Sequence, residues 1–297
     1  MRLDDLDPSK NVRDLGSGGG GFGGGGGNIL LGLLPMLLGR RMGCGTLALI
    51  GIAVVAFMVF GGGGGLLTGG SAPTKRGTQT GQAATPCDTP EELQACRVMT
   101  STEQTWGAIF RQQGQQYPAP TLNFYERGVQ SGCGSATSAA GPFYCPGDRG
   151  VYLDTSFFRE LAQRFGAAGD FAQNYVIAHE VGHHIQNITG TMERVRREQS
   201  RLSQAEGNAL SVRVELQADC YAGVWAARNR DRLEPGDIEE GMRAANAIGD
   251  DTLQRQAQGT VVPESFTHGT SAQRVKWLRR GLETGDPAQC DTFSGPI

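Results

Sequence analysis

Residues 171–190 read FAQNYVIAHEVGHHIQNITG, and the rest of the chain is most easily understood outward from them. His179 and His183 stand four apart, with Glu180 directly after the first. On an α-helix four residues turn through about 400°, so both imidazoles leave from nearly the same side, one turn apart. Imidazoles so placed can share a zinc ion, and Glu180 falls where it can reach a water on that ion. Val176, Ile177, Val181 and Ile185 predict a partly buried helix over 170–188, with Asp170 as its cap and Gly190 just past its end. Three of the 4 histidines, His179, His183 and His184, fall in this run. His184 lies about 100° further round and reads as a supporting or structural residue. Gly182 costs roughly 1 kcal/mol of helix propensity against Ala, which marks either a close backbone approach or a tolerated defect.

Two histidines leave the site incomplete, because catalytic zinc uses three protein ligands and keeps one position for water. Residues 212–223, VRVELQADCYAG, offer Glu215 and Asp219, again four apart on a helical pattern. Glu215 can complete a two-histidine, one-glutamate set, while Asp219 can accept the other N–H of a ligating histidine and fix its tautomer. The alternative is a pair of solvated helix carboxylates, which Val212, Val214, Leu216, Ala218 and Tyr221 make an unusually apolar setting for. His268 is the remaining histidine. It is a candidate donor to the oxyanion of a tetrahedral intermediate, or a buried structural residue before a helix starting at Ser271. Tyr152 and Tyr221 are weaker donor candidates.

Composition narrows the function classes. The 297 residues carry a net charge of -3 and a pI near 5.9, which gives no case for a nucleic-acid partner. Residues 1–41 form a charged segment and a glycine tract that bury almost nothing, and are expected to be a disordered cytoplasmic tail. Residues 42–62 contain the uncharged apolar run 43–60, long enough to enter a lipid bilayer as a single transmembrane helix. Arg40 and Arg41 flank its N-terminal end and no Lys or Arg follows until Lys75. The positive-inside rule then predicts a single-pass protein of the cell membrane with a cytoplasmic N-terminus and a periplasmic or otherwise extracytoplasmic catalytic domain. Residues 63–86 read as a linker, and 87–297 as one domain.

Six of the 7 cysteines lie in that domain, and an even number in an oxidising compartment suggests three disulfides. Closeness in sequence favours Cys87–Cys96 and Cys133–Cys145, leaving Cys220–Cys290, although six cysteines allow about fifteen pairings. The coarse pattern is α+β and mainly helical. Helices are expected over 89–113, 157–165, 170–188, 235–247 and 271–281, with one or two more over 193–228. A strand near 123–125 and a hairpin over 141–154 supply a small sheet, and Tyr152-Leu153-Asp154 could lend an edge to an extended substrate.

With HEVGH followed by ELQAD, the chain resembles the gluzincin metallopeptidases, and more closely a membrane-anchored family of bacterial neutral zinc metallopeptidases. FYCPGDRGVYLD, AHEVGHHIQ, ELQADCYAG and THGTSAQRVKWLRRG carry the likeness, together with the N-terminal glycine tract and the apolar run. The resemblance implies a zincin-like domain holding one Zn²⁺ per chain through His179, His183 and Glu215. It also implies Glu180 as general base in hydrolysis of a peptide or protein substrate. A zinc-stabilised binding or scaffold domain without turnover is the competing expectation. It has no use for Glu180, and structural zinc prefers four closed ligands. Oligomeric state and substrate preference are not legible.

Overall fold

The computed structural model describes residues 1–17 and 86–297. It is a mainly helical α+β protein with a small sheet. Helix α1, Pro90–Gln112, begins with Thr89 and Glu92 in a reciprocal capping box and Pro90 in its first turn. Its buried side, through Ala95, Val98, Met99, Thr102, Trp106, Ile109 and Phe110, follows the three-four spacing of a core-facing helix.

Four strands form the main sheet: β1 (Val12–Ser17), β2 (Thr121–Glu126), β5 (Phe143–Cys145) and β6 (Gly150–Leu153), in the order β1-β2-β6-β5. The first three are parallel, and β5 folds back antiparallel on β6. Strands β3 (Gly128–Ser131) and β4 (Gly134–Thr137) make a separate two-stranded ribbon. After the sheet come α2 (Ser156–Gln163), α3 (Asp170–Ile188), α4 (Thr191–Gln199), α5 (Gln204–Arg228), α6 (Asp237–Ala247), α7 (Asp250–Gln258) and α8 (Ser271–Thr284).

Helix α3 carries the histidines through the middle of the molecule and is buried along nearly its whole length. Helix α5 packs on it, and α8 packs on α5 so closely that two glycines are required. A Cβ on Gly281 would run into the Cys220 carbonyl oxygen, and one on Gly223 into that of Leu278. The three cysteine pairs are Cys87–Cys96, Cys133–Cys145 and Cys220–Cys290. The last ties α5 to the C-terminal segment across 70 residues.

Several expectations need correction. Residues 1–17 are not part of a disordered tail. Leu3 is fully buried, β1 pairs with β2 at Val12 and Leu122, and the Met1 ammonium sits against Asp170, Glu234 and Asp237 at 2.8, 3.0 and 3.1 Å. Asp170 is therefore not the cap of α3; that position is Gly169, and the Asp170 carboxylate serves the ammonium instead. The expected single-pass membrane topology fails for the same reason. A single crossing between residues 17 and 86 would put β1 and β2 on opposite sides of a bilayer, yet they form one sheet. Among the described residues no helix is long and apolar enough to cross a membrane. The transmembrane helix expected over 42–62, with its 43–60 run and bilayer contact, and the linker over 63–86 lie outside the described residues, apart from residue 86. Finally, β6 is bonded on both sides, to β2 and to β5, so Tyr152-Leu153 has no free edge to offer a substrate.

Candidate metal centre

The site forms where α3 and α5 touch, and Gly182 permits the contact. A Cβ there would lie 2.9 Å from the Ala218 carbonyl oxygen and 3.0 Å from its Cα. Of the two readings of this glycine, close backbone approach is the one seen. It brings one turn of α3, with His179 and His183, against the turn of α5 that carries Glu215 and Asp219.

The Nε2 atoms of both histidines converge on Glu215, at 3.1 Å from Oε2 for His179 and 3.4 Å from Oε1 for His183. The two imidazole rings lie 4.7 Å apart, nearly perpendicular. One donor atom from each of His179, His183 and Glu215 lies within 4.8 Å of the others. Two imidazole nitrogens and one carboxylate converging in this way fit a catalytic zinc, which takes three such donors and leaves a position open. Glu180, one residue beyond His179, is buried in the same turn.

The far side of each ring is occupied. His179 Nδ1–H donates to Asp219 Oδ1 at 2.8 Å, and the same oxygen accepts from the Tyr175 hydroxyl at 2.6 Å. Arg274 on α8 donates to both carboxylate oxygens of Asp219, at 2.9 Å each, and to the Tyr175 hydroxyl at 3.2 Å. A buried carboxylate is costly unless so compensated. Burial works against the Asp219 charge, but Arg274 and His179 outweigh it and hold its carboxyl below the usual range. Burial also disfavours a charged His179, yet Asp219 and Glu215 raise its pKa to about 10. Glu215, pushed up by burial, is held well below the ordinary carboxylate range by His183 and His268. On the second histidine of the motif, His183 Nδ1–H donates to Gln186 Oε1 at 2.8 Å.

His268 lies in the loop before α8, within electrostatic reach of Glu215. Asp250 holds that loop: Oδ2 accepts from the backbone N–H groups of Thr267, His268 and Gly269, and Oδ1 accepts from His268 Nδ1–H at 3.1 Å. Despite burial, Glu215 and Asp250 raise the His268 pKa. His184 is structural. Its Nε2–H donates to the Pro118 carbonyl at 2.6 Å and its Nδ1 accepts from the Tyr144 hydroxyl at 3.0 Å. That locks α3 to β5 and the loop before β2. Burial depresses its pKa to about 4. Of the weaker donor candidates, Tyr152 gives its hydroxyl to Asp148, and Tyr221 packs edge-on against Trp106.

Sequence reasoning missed Tyr175, Gln186, Gln217, Asp250 and Arg274. Tyr175 and Gln186 had a signal, standing four before His179 and three after His183 on the same helix face. Asp250 and Arg274 had none, since only tertiary folding brings them to the site.

A family model described as "Putative neutral zinc metallopeptidase" matches residues 1–293. An Escherichia coli relative, "Uncharacterized protein YpfJ", is 51% identical over 222 residues, which cover 73% of this chain and 77% of the relative. From Mycobacterium tuberculosis, "Uncharacterized protein Rv2575" is 43% identical over 232 residues, 73% of this chain and 76% of its own. No solved structure matches the chain.

Proposed function

The chain belongs to the putative neutral zinc metallopeptidase family, and from that premise we propose that it hydrolyses peptide bonds at one zinc ion held by His179, His183 and Glu215. One observation carries the reading. Both imidazoles turn Nε2 toward Glu215 while Asp219 and Gln186 occupy their Nδ1–H groups, so three potential ligand atoms face one point.

A zinc ion held there would supply Lewis acidity and make a water acidic enough to lose its proton near neutral pH. Glu180, in the same helical turn, takes that proton and passes it to the leaving amine nitrogen. Its burial on α3 fixes the carboxylate on a packed element rather than a mobile loop. His268, with Nδ1–H held by Asp250, stabilises the negative oxygen that develops when the peptide carbonyl is attacked. Asp219 and Arg274 do not react; they hold the His179 ring in one tautomer and one orientation.

The test is Glu180→Gln, screened against a peptide library beside the unaltered protein. Zinc content should stay at one per chain while cleavage falls by about 10²–10⁴-fold. Cleavage at the unaltered rate would remove Glu180 from its role.

A further inference from the structure

Behind His183 runs a chain of side-chain amides whose direction is fixed at both ends. Gln186 Nε2 donates to the Val214 backbone carbonyl at 2.7 Å and to Gln217 Oε1 at 3.1 Å. Gln217 Nε2 donates in turn to the backbone carbonyl of Cys290 at 3.0 Å. Carbonyl oxygens only accept, so Val214 and Cys290 dictate which end of each amide is NH₂. With Gln186 Nε2 committed, its Oε1 is what faces His183 Nδ1, and that nitrogen must carry the proton. The lone pair of His183 is thereby left on Nε2, the atom that points at Glu215.

We infer that Gln186 and Gln217 are positioning residues for the metal site, setting the tautomer of His183 from two backbone carbonyls. The inference rests on the zinc reading above. The two ligand histidines are then held by different chemistry. His179 is braced by a charged Asp219–Arg274 pair, and His183 by neutral amides alone. Gln186 also fastens α3 to the residue just before Glu215, so one side chain fixes both a ligand's tautomer and the distance to the next ligand. Gln186 is fully buried and Gln217 nearly so. Neither amide can exchange its protein partners for water, and each link left unmade strands a buried polar group. The Cys220–Cys290 disulfide holds the far end, because the carbonyl that orients Gln217 belongs to one of its cysteines.

The test is zinc affinity by competition with a chromophoric chelator, with ¹⁵N-histidine NMR of the zinc-loaded protein. Gln186→Met should weaken zinc binding by about 10–100-fold. Gln217→Met should weaken it less, since Val214 still orients Gln186. In the unaltered protein, His183 should show a slowly exchanging Nδ1–H, and in Gln186→Met that proton should exchange with water. Gln186→Met with unaltered affinity and a protected Nδ1–H overturns the inference and leaves the zinc reading standing. An unaltered protein that ligates through His183 Nδ1 also overturns it, without needing any variant to fold. An unaltered protein that binds no zinc instead overturns the zinc reading itself.

Discussion

Gly182 shows how a residue without a side chain decides the geometry of a site made of side chains. Ala at this position gains up to about 1 kcal/mol of helix propensity. Its methyl would press on the Ala218 backbone, which the packed α5 cannot easily yield, at a typical overpacking cost of about 1–3 kcal/mol. Gly182→Ala should therefore lower the thermal midpoint and weaken zinc binding together; a midpoint that rises would show that α5 shifts freely. His268→Asn should retain zinc and lose about 10²-fold or more in cleavage rate, as a donor to the oxyanion would. Equal losses of zinc and rate would make it structural only. His184 gives a pH dependence of definite sign. Its folded pKa of about 4 lies below the unfolded value near 6.5, so between them the unfolded chain binds more protons. Stability is fully present above about 6.5 and drains away as pH falls toward 4. In metal-free protein, His184→Leu should flatten this slope by up to about 1.4 kcal/mol per pH unit, and an unchanged slope would contradict the assignment. Much at this scale was legible in the sequence. HExxH and ExxxD carry their spacing on their face, because two helical turns impose it. Asp250 and Arg274 were not legible, because a carboxylate or guanidinium brought from another helix leaves no local pattern.

At the scale of elements, the site depends on α5 being held between α3 and α8. Gly281 and Gly223 let α8 approach until backbone meets backbone, and Arg274 on that helix reaches Asp219 as a result. The Cys220–Cys290 bridge closes a loop of 70 residues onto the same helix. Replacing both cysteines by alanine should cost about 2–4 kcal/mol in denaturant unfolding. A loss within error would mean that packing alone holds α5. The starts of the first and last helices, expected at 89 and 271, fall within one residue of Pro90 and Ser271, where Thr89 and Thr270 form capping boxes. Helix α7 was missed because Asp250–Gln258 is short and strongly polar, with little apolar periodicity to find. The β3–β4 ribbon was missed for a related reason, being small residues around a glycine turn.

The whole molecule corrects the sequence most sharply at its N-terminus. Residues 1–17 are charged, lead into glycine, and look like a tail. Their partners lie in α1, in β2 and at the starts of α3 and α6, far along the chain, where no local signal points. Deleting residues 1–17 removes an edge strand and the buried Met1, Leu3 and Leu6, and should lower stability by more than about 3 kcal/mol. An unchanged unfolding midpoint would detach the arm from the fold. The same packing disposes of a single membrane crossing between arm and domain, an inference that hydropathy and charge alone had favoured. What joins these scales is one claim, that α3 and α5 meet in order to hold a hydrolytic zinc. The most direct measurement is peptide cleavage followed as zinc is stripped by a chelator and returned stepwise. Cleavage should vanish with the metal and return in proportion to zinc, reaching its full value at one ion per chain. Cleavage that persists in zinc-free protein would contradict the claim.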